Sequence, residues 1–227
     1  MNLPESLRPR ILFEDTHLVV LSKPAGLLSQ GAEEGQPNLV DWLRGHFGRH
    51  YVGLVHRLDR NTSGVMVVGK RTKSANRLTE SLQDGSLVRT YRALLEGRLE
   101  GARDWKHFLE KDERTNTVRV VRPPKGKEAR LHVEPVAKGG STARPLTLAE
   151  FRLDTGRSHQ IRVQAAHEGL PLLGDPKYGR KTPPGERPYD RPALHSFRIE
   201  FPHPMGGEPL RFGDPVPAEW ERFLQNG

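Results

Sequence analysis

The chain has 227 residues, with 36 Lys and Arg against 28 Asp and Glu, a net charge of +8 and a pI near 10.0. It contains no cysteine, which excludes disulfides, zinc–thiolate centres, iron–sulfur clusters and thiol nucleophiles. Mean hydropathy is −0.67 and the N-terminus lacks a basic-then-apolar signal pattern, so the expectation is a soluble, cytoplasmic protein.

In chain order, ILFEDTHLVVLSK (11–23) predicts two strands around the polar turn Glu14–Asp15–Thr16, and Pro24–Ala25–Gly26 opens a loop. NLVDWLRGHF (38–47) spaces Leu39, Trp42, Leu43 and Phe47 as a helix, which Gly48 can end. Strand-like GLVHRL follows, then the turn DRNTSG and the strand VMVVGK. A helix is predicted from Thr72, with Ala75, Leu78 and Leu82 on one face and Gly85 as its stop. VRTYRALLEG and TNTVRVVR read as strands. The Pro-, Lys- and Gly-rich stretch 122–143 offers least to a core and reads as a mobile arm around one short strand, RLHVEPV. LTLAEFRL alternates as a strand, DTGRS is a turn, HQIRVQAAHEG a helix, and 174–192 a long Gly/Pro/basic loop. ALHSFRIEF closes the sheet, and PAEWERFLQ is a terminal helix with Pro217 near its start. Many strands and few helices in no regular βαβ order predict an α+β fold, mostly antiparallel, with flanking helices.

The positive charge is concentrated. Ten of the Lys and Arg residues fall between Arg44 and Arg92, against Asp59, Glu80 and Asp84, a local excess of +7. Such a field draws polyanions, which makes nucleic acid the leading partner class. Within this stretch, His56-Arg57-Leu58-Asp59-Arg60-Asn61-Thr62-Ser63-Gly64 sets one carboxylate between two arginines. Neighbouring guanidiniums favour the ionised form of Asp59, which suits a nucleophile, base or electrostatic stabiliser; the same residues also suit an ordinary turn. Arg89-Thr90-Tyr91 puts an aromatic where it can stack on a base or serve the core. In Thr155-Gly156-Arg157-Ser158-His159-Gln160-Ile161-Arg162, Arg162 can pair with a buried carboxylate and the helix amides can hold a phosphate, or the segment is a plain cap.

Other motifs fail on spacing. GDPKYGRKT interposes Arg180 before Lys181, which defeats a phosphate loop, and His46 and His50 lack the companions of a metal site. Ser158-His159 has no nucleophile elbow. No cofactor motif and no metal motif is found.

HRLDRNTSG, RTYRALLEG, LDTGRSHQIRV, GDPKYG and ALHSFRIEFPHP occur in the order found in RluA-type pseudouridine synthases, which this chain resembles from about residue 10 to about residue 215. EDTHLVVLSKPAGL is similar to that family's N-terminal segment. The resemblance implies the pseudouridine synthase fold in one catalytic domain, acting on ribosomal or transfer RNA as a monomer without a cofactor. It further implies that Asp59 engages the ribose C1′ while the uracil–ribose bond breaks, the uracil turning and rejoining through C5. Tyr91 then falls on the residue that stacks on uracil and serves proton transfer, and Arg162 on the basic partner of the aspartate. Arg57 falls on the residue that fills the space of the flipped nucleotide. Arg60, Arg89 and Arg157 are expected as further RNA contacts. Many relatives carry an N-terminal S4 RNA-binding domain, whereas the catalytic segment here begins by about residue 10, so no separate RNA-binding domain is expected. After KPAGL the chain reads LSQG, a departure that bears on substrate choice rather than chemistry. The competing expectation is a non-catalytic RNA-binding or ribosome-assembly protein on the same fold. A carboxylate in a basic groove opposes phosphate binding, which favours the enzyme.

Overall fold

The structure is a computed structural model that describes residues 3–31, 35–48, 51–181 and 187–225. His50 and Thr182, of the histidine pair and the near-miss phosphate loop, lie outside these residues. The chain divides into two compact units, Met1–Arg89 with Ser196–Pro215, and Thr90–His195 with Val216–Gly227.

The first unit is built on β1 (Arg10–Glu14), β2 (Leu18–Lys23), β4 (Ser63–Gly69) and the Ser196–Phe201 part of β10 (Leu194–Phe201), in that spatial order. The short β3 (Gly53–Leu54) pairs with β4, and β11 (Leu210–Gly213) pairs with β10. Alternating apolar residues of these strands bury Leu18, Val20, Val65, Val67, Ile199 and Phe201 against Leu78 of the helix α2 (Thr72–Asp84). Burying a side chain of this kind contributes about 1.5–3 kcal/mol. The helix α1 (Leu39–Phe47) starts where the Asn38 side chain accepts the Asp41 N–H at 3.0 Å. It stops at Gly48, as the sequence predicts, and α2 stops at Gly85. GLVHRL is a strand only at Gly53–Leu54; residues 55–59 instead form an irregular segment leading into a turn.

The second unit orders β5 (Val88–Glu96, from Thr90), β9 (Pro145–Leu153), β8 (Lys127–Gly140), β6 (Arg103–Asp112) and β7 (Thr117–Val121). Its pairings β5–β9, β9–β8, β8–β6 and β6–β7 are all antiparallel. The stretch read as an arm is the longest strand of the chain, β8, because Ala129, Leu131 and Val133 alternate inward between β6 and β9. A register shift between Pro135 and Ala137 absorbs the proline, leaving Val136 exposed. The helix α3 (Gln160–His167) packs Val163 against Leu109, Val118 and Ala129. The C-terminal helix is shorter than predicted, one 3₁₀ turn (Ala218–Trp220) followed by α4 (Glu221–Leu224), with Trp220 fully buried. No helix among the described residues is long and apolar enough to cross a membrane.

Candidate active site

Asp59 stands at the end of the irregular segment, half-buried, and its carbonyl accepts the Thr62 N–H at 3.0 Å to close the turn. The turn must enter β4 at once, and Gly64 permits this. Its φ is +115°, and a Cβ there would stand 2.2 Å from the Ser196 carbonyl oxygen. Asn61-Thr62-Ser63-Gly64 is therefore both a turn and the start of a buried strand.

The backbone around Asp59 is clamped by the KPAGLLS segment. The Lys23 ammonium, fully buried, donates to the carbonyls of Pro24 at 2.9 Å, Leu27 at 2.8 Å and Arg60 at 3.2 Å. Gly26 N–H donates to the Arg60 carbonyl at 2.8 Å, and Arg60 Nε returns a bond to the Gly26 carbonyl at 3.1 Å. Ser29 brackets the other side, its hydroxyl donating to the Leu58 carbonyl at 2.7 Å and accepting the Leu58 N–H at 3.1 Å. Both residues flanking Asp59 are thereby fixed. Lys23 and Ser29 escape sequence reasoning, because nothing local marks a lysine for burial.

His56, 6% exposed, anchors the segment from the other end, its Nε2 accepting the Val67 N–H at 3.2 Å. Burial, and then the charge of Arg89, push its pKa down to about 3, so the ring is neutral and carries its proton on Nδ1.

In the second unit Arg162 lies on α3 with its side chain 7% exposed. It forms a two-pronged pair with Asp175, Nε to Oδ2 at 2.7 Å and a terminal nitrogen to Oδ1 at 2.9 Å, and lies 5.1 Å from the Tyr178 ring centroid. Burial raises the Asp175 pKa, but Arg162 and the N–H groups of Lys177 and Tyr178 outweigh it and hold the carboxyl below its usual range. GDPKYG is thus the carboxylate support of Arg162, and its lone Asp ahead of Pro was the available signal. Gly174 makes the fit possible, with φ +74° and the Tyr189 and Arg191 carbonyl oxygens 2.4 Å from where a Cβ would stand. Tyr91, on β5, is 5% exposed and sits opposite Phe151 of β9.

The arginines assigned to RNA divide by burial. Arg57, Arg60 and Arg157 are exposed, whereas Arg89 is buried. Arg157 is oriented by Nε donating to the Glu128 carbonyl at 2.9 Å, and Gln160 caps the preceding turn by accepting the Arg157 N–H at 3.0 Å. Part of the basic cluster is neutralised internally, by Arg44–Asp41, Lys70–Glu14 and Arg92–Glu150 pairs. His46 bonds Glu14 at 2.8 Å and stacks on Trp42.

The structure resembles the human RNA Pseudouridylate Synthase Domain Containing 1 protein, with a TM-score of 0.77 at 22% identity, over 95% of this chain and 86% of that one. The human Domain Containing 4 protein gives 0.72 at 24% identity, over 93% and 90%. The fold is therefore that of the pseudouridine synthases. Residues 17–167 match the family described as RNA pseudouridylate synthase. The chain is 35% identical to ribosomal large subunit pseudouridine synthase D of Xanthomonas campestris pv. campestris, over 97% of this chain and 70% of that protein. It is 36% identical to the synthase D of Nitrosomonas europaea, over 97% and 66%. It is 34% identical to the uncharacterized RNA pseudouridine synthase YhcT of Bacillus subtilis, over 98% and 74%. The chain thus spans about two thirds to three quarters of the length of these relatives. It belongs to the RNA pseudouridylate synthase family, enzymes that isomerise uridine to pseudouridine within RNA.

Proposed function

We propose that this enzyme isomerises uridine in large-subunit ribosomal RNA, with Asp59 as its catalytic carboxylate. The observation that carries the assignment of Asp59 is the clamp of Lys23, Gly26 and Ser29, which fixes the backbone on both sides of one residue in a basic, polar turn. Precise placement of a reacting group is what lowers the barrier of a step with no cofactor to supply reactivity. The ribosomal substrate is supported by the names of the Xanthomonas and Nitrosomonas relatives.

In the reaction the N1–C1′ bond of uridine breaks and a C5–C1′ bond forms. The proton on C5 leaves and N1 ends protonated, so no electrons and no group are exchanged with a second substrate. Asp59 engages C1′ as the glycosidic bond opens. Tyr91 stacks on the detached uracil and moves the proton, and Arg162 supports the aspartate. A paired uridine must leave its stack first, and Arg57 fills the space it vacates, with Arg60 and Arg157 holding phosphates. A monomer in the cytoplasm completes the reading, in keeping with the cysteine-free composition.

The test is pseudouridine mapping of ribosomal and transfer RNA from cells lacking the gene, with wild type or Asp59→Asn restored. A large-subunit site should vanish, return with wild type, and stay at least a thousandfold slower with Asp59→Asn. Loss of a transfer RNA site alone would overturn the substrate, and restoration by Asp59→Asn would overturn the mechanism.

A further inference from the structure

Arg89 differs from every other buried cation described above. It is 8% exposed, at the start of β5, and its Nε is buried with no acceptor among the described residues. Lys23 is buried against three carbonyls and Arg162 against a carboxylate. Beside Arg89 stands a second donor in the same condition. His56 gives its Nε2 to Val67, and its Nδ1, which carries the proton, has no acceptor. The guanidinium charge reaches this ring, since it helps keep the imidazole neutral.

A buried donor without an acceptor destabilises the fold that holds it, and a guanidinium next to it adds a positive charge at the same place. Two such groups together, both donors, form a local deficit of negative charge. Neither donor has an acceptor among the described residues, so the two together suit a ligand that accepts hydrogen bonds. The ligand's sign and chemistry follow from the donors. It is an anion, and a planar guanidinium favours an oxyanion such as phosphate.

We infer that Arg89, with His56 behind it, is a buried phosphate site, filled by one backbone phosphate of the RNA when the substrate docks beside the Asp59 loop. The identification of the anion with RNA rests on the proposed function; the site for a phosphate does not. His56 is a positioning residue here, three residues before Asp59, and Arg89 is the residue that meets the anion. Filling the site supplies the acceptor that the two donors lack only when RNA is bound.

The inference separates from a structural role by the sign of a stability change. Arg89→Met replaces the guanidinium by an apolar side chain of similar length. In phosphate-free buffer it should raise Tm, because a buried donor without an acceptor has been removed. Inorganic phosphate at constant ionic strength should raise Tm of the wild type and leave Arg89→Met unmoved. Binding to a large-subunit ribosomal RNA transcript should weaken about tenfold, and the slope of log Kd against log salt should fall by about 0.7–0.9, one phosphate contact. A response to the transcript without one to inorganic phosphate would also support the site, confined to phosphate within RNA. A lower Tm for Arg89→Met, with the phosphate and RNA responses both intact, would overturn it. If Arg89→Met does not fold, Arg89→Lys decides, since it keeps the charge and loses the fork. Weaker RNA binding at an unchanged salt slope supports the site, and unchanged binding overturns it. Pseudouridine formed by wild type in the same transcript is scored separately. Its absence would refute the ribosomal substrate, while the phosphate-dependent Tm still judges Arg89.

Discussion

The loop that carries Asp59 and the helix that carries Arg162 are held by opposite means. In the first unit a buried ammonium and a serine hydroxyl bind main-chain groups on either side of the aspartate. In the second, a buried carboxylate grips the guanidinium itself, and two backbone N–H groups steady the carboxylate. The loop is irregular and has no ladder of its own, so its backbone needs outside donors and acceptors. The helix has a satisfied backbone, so only the direction of a long flexible side chain remains to be set.

The largest blow to this contrast falls on the helix. Asp175→Ala breaks a pair whose side chains are 7% and 0% exposed, and should cost about 3–5 kcal/mol in urea unfolding. Arg162→Met combined with Asp175→Ala should recover much of that loss, because no charge is then left buried. A double variant no better than Asp175→Ala would show that the carboxylate serves the turn at Lys177 and Tyr178 rather than the arginine.

The loop should respond less in stability and more in turnover. Lys23→Met removes the donor to three carbonyls together with its own buried charge, and should cost about 2–3 kcal/mol. Turnover per folded molecule should fall at least tenfold, since the backbone at Arg60 loses an anchor adjacent to Asp59. Unchanged turnover at full folding would reduce the clamp to scaffolding.

Smallest near neutral pH, and growing as pH falls, is a pH dependence to which His56 of the first unit contributes most. His56 has its folded pKa depressed to about 3 from an unfolded 6.5, so its contribution is complete above pH 6.5 and is lost as pH falls towards 3. The loss should be about 1.4 kcal/mol per pH unit across that window. Asp175 is likewise depressed, from 3.8, so its contribution is lost only in more acid solution. His107, lowered by burial and by His167, adds to the slope from the second unit. Urea midpoints at pH 7, 5.5 and 4.5 therefore isolate His56 when wild type is compared with His56→Gln, which should flatten the curve. An equal slope in both would show that His56 is not the residue that titrates.

Where the residues announced themselves, the reason was local. Gly48 and Gly85 ended helices and β4 grew out of the DRNTSG turn, all decided by a few neighbours in the chain. Prediction failed where distant strands set the outcome. The stretch 122–143 reads as poor in core residues, yet strands on both flanks recruit Ala129, Leu131 and Val133. The same holds for the candidate site. The proposed Asp59, Tyr91 and Arg162 stand in compact motifs that a sequence displays, whereas the support of Lys23, Ser29 and Asp175 spans 13 to 37 residues for several of its bonds.

By itself the sequence determined the α+β composition and the basic character, since these depend on residue type, short-range spacing and net charge, and its resemblance to the RluA-type family carried the class of chemistry. Only the tertiary structure decided which arginines are buried, which carboxylate Arg162 holds within its unit, and that the buried Arg89 Nε has no acceptor among the described residues. Burial and pairing are set by what the rest of the chain brings near, and a charge changes its meaning once water is removed from around it.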